Sequence, residues 1–190
     1  MQINKKDFFN IPNLLSLYRL ILGLVFPLLW IKKISSQTLL FLIGSAVLSD
    51  TLDGNIARLF NQKTELGKIL DPLADKVFIN MLFILLYLDK KISLGLVLLI
   101  IFRDLSILCG GILLLIKHQN LLILNPTFLG KASTVAQLLF LFFQFINLFI
   151  KPLNTILIFT MIQIIIFLTL ASGLHYAFLF LKSYKTSPIK

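Results

Sequence analysis

Apolar runs of roughly twenty residues, each closed by lysines or a short polar break, dominate this chain and restrict what it can become. A run of that length matches the hydrocarbon thickness of a bilayer when coiled as a helix. Of 190 residues, 58% are hydrophobic and only 14% charged, whereas a soluble domain carries about 25% charged residues. The pattern therefore predicts an all-α integral membrane protein of one domain, residues 1–190. Six transmembrane helices are expected, over about Pro12–Ile31, Thr38–Phe60, Gly67–Leu88, Ile92–Ile116, Leu129–Ile150 and Leu153–Leu181. Residues 1–12 read as a short interfacial lead-in, and 182–190 as a frayed basic tail. Lys5 and Lys6 ahead of apolar residues resemble the start of a signal peptide. The run continues through Trp30 without a small-residue cleavage site, so a retained first helix is expected.

The formal net charge is +10, but the basic residues stand at the ends of apolar runs. That placement points to anionic lipid and interfacial anchoring rather than to nucleic acid. Six spans put both ends of the chain on one side, which would carry ten of the 18 Lys and Arg against five on the other. The bias makes the ten-residue side cytoplasmic. The single cysteine, Cys109, excludes an intrachain disulfide and reads as a small buried apolar residue. Gly110-Gly111 reads as a close-packing point between helices, and Tyr18, Trp30 and Tyr184 as parts of an aromatic belt. His118 and His175 are isolated and are assigned no chemistry.

Against this apolar background, four aspartates lie between Asp50 and Asp75. An ionised carboxylate in such surroundings is costly unless it is paired or binds a cation. A helix turns about 100° per residue, so Asp50, Asp53 and Ala57 share one narrow face of the second helix, with Gly54 beside them and Arg58 at the edge. Gly67, Asp71 and Asp75 share a face of the third, where Pro72 marks either the true first turn or a kink. Two antiparallel helices joined by the loop around Asn61–Glu65 could bring these faces together. Oxygen donors without His or Cys suit Mg²⁺ or Mn²⁺ rather than zinc. Two such ions about 4 Å apart form a clamp for displacement at phosphorus. The unbulky Gly54, Ala57 and Gly67 leave room for a phosphorylated ligand, and Arg58 and Lys76 can offset its charge. A cation- or proton-coupled transporter is the competing class, but the fifth and sixth helices carry no mid-span charge. A purely structural role leaves the carboxylates unexplained.

The pattern Asp50-x2-Asp53-Gly54-x2-Ala57-Arg58-x8-Gly67-x3-Asp71-x3-Asp75 resembles the signature of the CDP-alcohol phosphatidyltransferases, with all eight specified positions filled. The likeness extends to Ile11-Pro12-Asn13-Leu14-Leu15-x3-Arg19, to Arg103-Asp104, and to Gly130-Lys131-x2-Thr134-x2-Gln137. The resemblance implies transfer of a phosphatidyl group from CDP-diacylglycerol to an alcohol, with release of CMP. Asp50, Asp53, Asp71 and Asp75 would hold two Mg²⁺ or Mn²⁺ ions, and Asp75 would also act as general base. Asp53, Gly54, Ala57, Arg58 and Gly67 would receive the CDP moiety. A homodimer is implied as well.

The segments Asn13–Arg19 and around Lys131 resemble the branch that uses glycerol 3-phosphate and yields phosphatidylglycerol phosphate. Arg19, Arg103 and Lys131 would then bind the acceptor phosphate. That branch usually has Arg-Glu in the fourth span and a further Arg soon after. Here Arg103-Asp104 has no second Arg behind it, and with Asn125-Pro126-Thr127 it looks more like the members that use phosphatidylglycerol. Glycerol 3-phosphate is the expected acceptor and phosphatidylglycerol the alternative. Each cation also has a plainer reading: Arg19 could snorkel to the interface, Arg103 and Asp104 could be a buried charge pair, and Lys131 could be an interfacial anchor.

Overall fold

The computed structural model describes residues 10–59, 67–118 and 127–186. The lead-in before Asn10, the loop around Asn61–Glu65, Asn125-Pro126 and the last four residues lie outside the described residues. Those described form six helices: α1 Ile11–Ile31, α2 Ser36–Leu59, α3 Gly67–Leu88, α4 Leu94–His118, α5 Phe128–Phe149 and α6 Thr155–Thr186. Four are long and apolar enough to cross a membrane, over Ile11–Ile31, Leu94–Gly111, Phe128–Phe149 and Thr155–Lys182. In α2 the apolar portion is the shorter Ser36–Ser49. Exposed Leu, Ile and Phe side chains line the outer faces, among them Phe41, Phe102, Phe128 and Leu174, as lipid-facing helices require.

Local signals account for the helix ends. Pro12 sits in the first turn of α1, where its missing N–H costs nothing. Thr127 caps α5, its side chain accepting from Gly130 N at 3.1 Å, which satisfies one of the orphan donors of the first turn. Pro72 does not open α3, because the helix already runs from Gly67. α6 continues to Thr186, so the supposed tail is helical through its first residues. Lys182 to Lys185 are polar but compatible with a helix, and the hydrogen-bond ladder carries on past the apolar stretch.

The chain packs as two compact units, Met1–Lys91 and Ile92–Lys190. In the first, α1 packs against both α2 and α3. Tyr18 Oη and Ser45 Oγ lie 2.6 Å apart across α1 and α2, so Tyr18 serves this helix contact. Ser16 meets Asp71, Arg19 meets Asp75 and Trp30 meets Asp89, so the residue numbers rise together and α1 and α3 run parallel. Gly23 sets their distance: a Cβ there would lie 3.1 Å from Phe78 Cα. Phe26 and Phe83 are fully buried in this unit, and Phe26 meets Phe78 edge-on with ring centroids 6.2 Å apart.

In the second unit α6 packs against α5 and α4. Ser133 faces Thr169 and Thr127 faces Tyr176, which makes α5 antiparallel to α6. Arg103 meets Ser172 and Gly110 approaches Phe180, which makes α4 parallel to α6 and supports the close-packing role of the glycine pair. Cys109 is exposed rather than buried. It is nine residues from fully buried Ile100, and nine steps of about 100° place it on the opposite side of α4.

Candidate active site

The first unit gathers its polar side chains along the facing surfaces of α1 and α3. Asn13, Ser16 and Arg19 recur every third residue on α1, and all three are buried. On α3, Asp71 and Asp75 are one turn apart and half-buried. The Ser16 hydroxyl donates to Asp71 Oδ1, with the Pro12 carbonyl as a second acceptor 3.1 Å away. Arg19 Nε stands 3.0 Å from Asp75 Oδ1, with side-chain exposures of 2% and 34%. Arg19 therefore does not snorkel: it is enclosed and directed at the carboxylate. The parallel register puts one polar group of α1 opposite each carboxylate of α3, and both carboxylates are oriented by it.

Asp50, Asp53, Gly54, Ala57 and Arg58 lie on α2, as expected, but their side chains fall outside the described residues. Gly67 is buried at the first position of α3. Among the described residues, which do not include the side chains of Asp50 and Asp53, no group of three or more His, Cys, Asp or Glu side chains is assembled to hold a metal. The donors that are described, two carboxylates on one helical face, have the all-oxygen chemistry that suits Mg²⁺ or Mn²⁺.

The second unit has its own buried polar cluster. Arg103 Nη1 donates to Asp104 Oδ1 at 2.6 Å, and the two side chains are 5% and 1% exposed. Nε donates to Ser172 Oγ at 3.0 Å, and Nη2 donates to Ser172 Oγ at 2.6 Å and to the Gly130 carbonyl at 3.3 Å. The guanidinium thus ties α4 to the first turn of α5 and the middle of α6. Thr127 N–H donates to Tyr176 Oη at 3.0 Å, and Gly130 leaves room for that ring: a Cβ there would lie 2.6 Å from Tyr176 Oη. Lys131, the next residue, is exposed. One turn and a half deeper, Gln137 is fully buried, and neither of its amide atoms has a hydrogen-bond partner among the described residues.

Of the three cations expected around an acceptor phosphate, Arg19 belongs to the first unit, and Arg103 and Lys131 to the second. Arg103 and Asp104 do form a buried charge pair, and the guanidinium retains one N–H on Nη1 beyond the four hydrogen bonds above. Sequence reasoning did not single out Ser172 or Tyr176. Their signal was faint: two polar residues a turn apart inside an apolar helix, on the side that also carries Thr169.

Residues 9–181 match the family model described as CDP-alcohol phosphatidyltransferase. The chain is 52% identical over 71 residues to the CDP-diacylglycerol--glycerol-3-phosphate 3-phosphatidyltransferase of Aquifex aeolicus (strain VF5), a match covering 36% of this chain and 38% of that protein. It is 42% identical over 83 residues to the protein of the same name from Salmonella paratyphi A (strain ATCC 9150 / SARB42), covering 40% and 43%. For that from Escherichia coli (strain K12) the identity is 40% over 81 residues, covering 40% and 43%. The chain thus spans only 38% to 43% of the length of these curated relatives. No solved structure matches.

Proposed function

The chain belongs to the CDP-alcohol phosphatidyltransferase family, and from that premise we propose that it transfers the phosphatidyl group of CDP-diacylglycerol to glycerol 3-phosphate. The products are CMP and phosphatidylglycerol phosphate. The observation that carries the reading is the pair Asp71 and Asp75, held side by side on α3 by Ser16 and Arg19. The names of the three relatives specify glycerol 3-phosphate, which favours that acceptor over phosphatidylglycerol.

In the proposed reaction the acceptor hydroxyl attacks the phosphorus that bears the diacylglycerol. A new oxygen–phosphorus bond forms, the pyrophosphate bridge to CMP breaks, and the hydroxyl proton passes to the Asp75 carboxylate. Arg19 positions that carboxylate, and Ser16 does the same for Asp71. Mg²⁺ or Mn²⁺ held by Asp50, Asp53, Asp71 and Asp75 would offset charge on the phosphates. Gly54, Ala57, Arg58 and Gly67 would receive the cytidine and its phosphates. Arg103 and Lys131 would bind the acceptor's own phosphate, Lys131 through an exposed ammonium and Arg103 through its remaining N–H.

All six helices would cross the bilayer, with the carboxylates at the cytoplasmic boundary. The excess of Lys and Arg on that side supports the orientation. There a lipid-anchored nucleotide and a water-soluble alcohol can both reach the site.

The test is CMP release by purified protein given Mn²⁺ or Mg²⁺, CDP-diacylglycerol and a panel of acceptors. Release is expected with glycerol 3-phosphate and is expected to vanish in Asp75→Asn. Release with phosphatidylglycerol alone would overturn the acceptor, and no release with any alcohol would overturn the reaction.

A further inference from the structure

At the far end of the first unit, α1 and α3 terminate in the same unusual way, and the proposed reaction uses neither terminus. At α1, Lys33 N–H donates to Trp30 O at 2.9 Å and Ile34 N–H to Leu29 O at 3.3 Å. At α3, Lys90 N–H donates to Tyr87 O at 2.8 Å and Lys91 N–H to Leu86 O at 2.9 Å. Both are the paired closure of a Schellman cap, which places one residue in the left-handed region. Glycine is the default there, yet both positions are lysine: Lys33 at φ 52° and Lys90 at φ 57°. A side chain in that conformation weakens the folded state about fivefold or more relative to glycine. Two lysines in such positions carry a local cost that glycine would avoid.

Because α1 and α3 are parallel, the two caps lie side by side, and Trp30 Nε1–H donates to Asp89 Oδ2 at 3.2 Å between them. Lys32, Lys33, Lys90 and Lys91 are all exposed. Among the described residues none of the four ammonium groups has a hydrogen-bond or ion-pair partner. Four lysines against one aspartate leave three positive charges. The two helix C-termini supply roughly half a negative charge each, so about two positive charges remain uncompensated. Exposed Ile31 and Leu88 stand just before the lysines in the last turn of each helix, at 67% and 57%. The arrangement is a cationic rim over an apolar wall.

Its depth is set by α3. From Asp71 to Lys90 the helix rises about 28 Å, close to the roughly 30 Å of a bilayer's hydrocarbon core. The rim therefore emerges at the boundary opposite the carboxylates, where an amphipathic tryptophan is at home.

We propose that these two caps cradle the phosphodiester headgroup of an anionic phospholipid in the leaflet opposite Asp71 and Asp75. The phosphate would accept from the lysines while the acyl chains lie along Ile31 and Leu88. That apolar wall favours a lipid over phosphate free in water.

Trp30 is the only tryptophan, so it reports on this site alone. The experiment places the full chain in nanodiscs containing phosphatidylcholine and phosphatidylglycerol, with one or the other brominated on its acyl chains, and compares quenching of Trp30. Each lysine near an anionic headgroup contributes a factor of about five, so the wild type is expected to favour phosphatidylglycerol at Trp30 about tenfold or more. Lys33→Gly/Lys90→Gly suits the caps better than the native residues, so its thermal midpoint in detergent should equal or exceed the wild type's, while the lipid preference falls toward one. Equal quenching by the two lipids in the wild type, or an unchanged preference in the stable double variant, would overturn the proposal. So would displacement of the anionic lipid by excess inorganic phosphate, which would mark a site for a soluble anion.

Discussion

Replacing Arg103 by methionine asks whether the second unit is held together by a buried charge. The guanidinium makes four hydrogen bonds, to Asp104 Oδ1, to the Gly130 carbonyl and twice to Ser172 Oγ. Both members of the ion pair are shielded, at 5% and 1% exposure, so solvent screening does little to weaken it. Removing one partner of a buried pair costs about 3–5 kcal/mol, because the other charge is stranded. Methionine keeps most of the aliphatic stem's packing, so the loss is chiefly electrostatic. Arg103→Met/Asp104→Leu removes both charges, and exchange of a buried pair for apolar groups is close to neutral in many proteins. The double variant should therefore cost less than about 2 kcal/mol, less than Arg103→Met alone and well below the sum of the two singles, the difference being the coupling between the two positions. The assay is loss of helical circular dichroism in mixed micelles of rising denaturing-detergent fraction, for the wild type, both single variants and the double. A cost below about 1 kcal/mol for Arg103→Met, or a double variant equal to the sum of the singles, would refute the buried pair as the anchor of this unit.

Gly23→Val should lower the thermal midpoint by an amount equivalent to about 1–3 kcal/mol, because its Cβ would lie 3.1 Å from Phe78 Cα and 3.3 Å from Phe78 N. The same displacement should reduce CMP release, since Arg19 is one turn away and would draw back from Asp75. Gly130→Ala should also destabilise, with a Cβ 2.6 Å from Tyr176 Oη and 2.9 Å from Cε2. Tyr176→Leu in the same chain should recover most of that loss in the same melting experiment. Lys131→Gln should raise the KM for glycerol 3-phosphate several-fold and leave that for CDP-diacylglycerol unchanged; an unchanged acceptor KM would remove Lys131 from the site.

The helices were readable because their signal is local. Apolar runs bounded by charges or turn residues set α3 at Gly67–Leu88 in both the sequence reading and the structure. The readings that failed needed information the run lengths do not carry. Composition turns polar after Leu181 and predicts an end to α6 there, while the backbone ladder has no reason to stop before Thr186. The apolar character of Cys109 predicts a place in the interior, but α4 turns that side outward. In a membrane helix hydrophobicity no longer distinguishes inside from outside, since lipid is as apolar as the core.

The candidate site divides along the same line. The spacing of Asp71 and Asp75 follows from 3.6 residues per turn, and so does the shared face of Asn13, Ser16 and Arg19. That Ser16 faces Asp71 and Arg19 faces Asp75 is a matter of register between helices more than fifty residues apart in sequence, set by the close approach at Gly23. The engagement of Arg103 with Ser172 and Gly130, and the pairing of two lysine caps across Trp30 and Asp89, depend equally on which helices run parallel. The sequence by itself determined the helices, the carboxylate face and, through its spacing, the family. Only the tertiary structure decided which side chains oppose one another, because helical periodicity is set within a few residues whereas register is set by packing between distant ones.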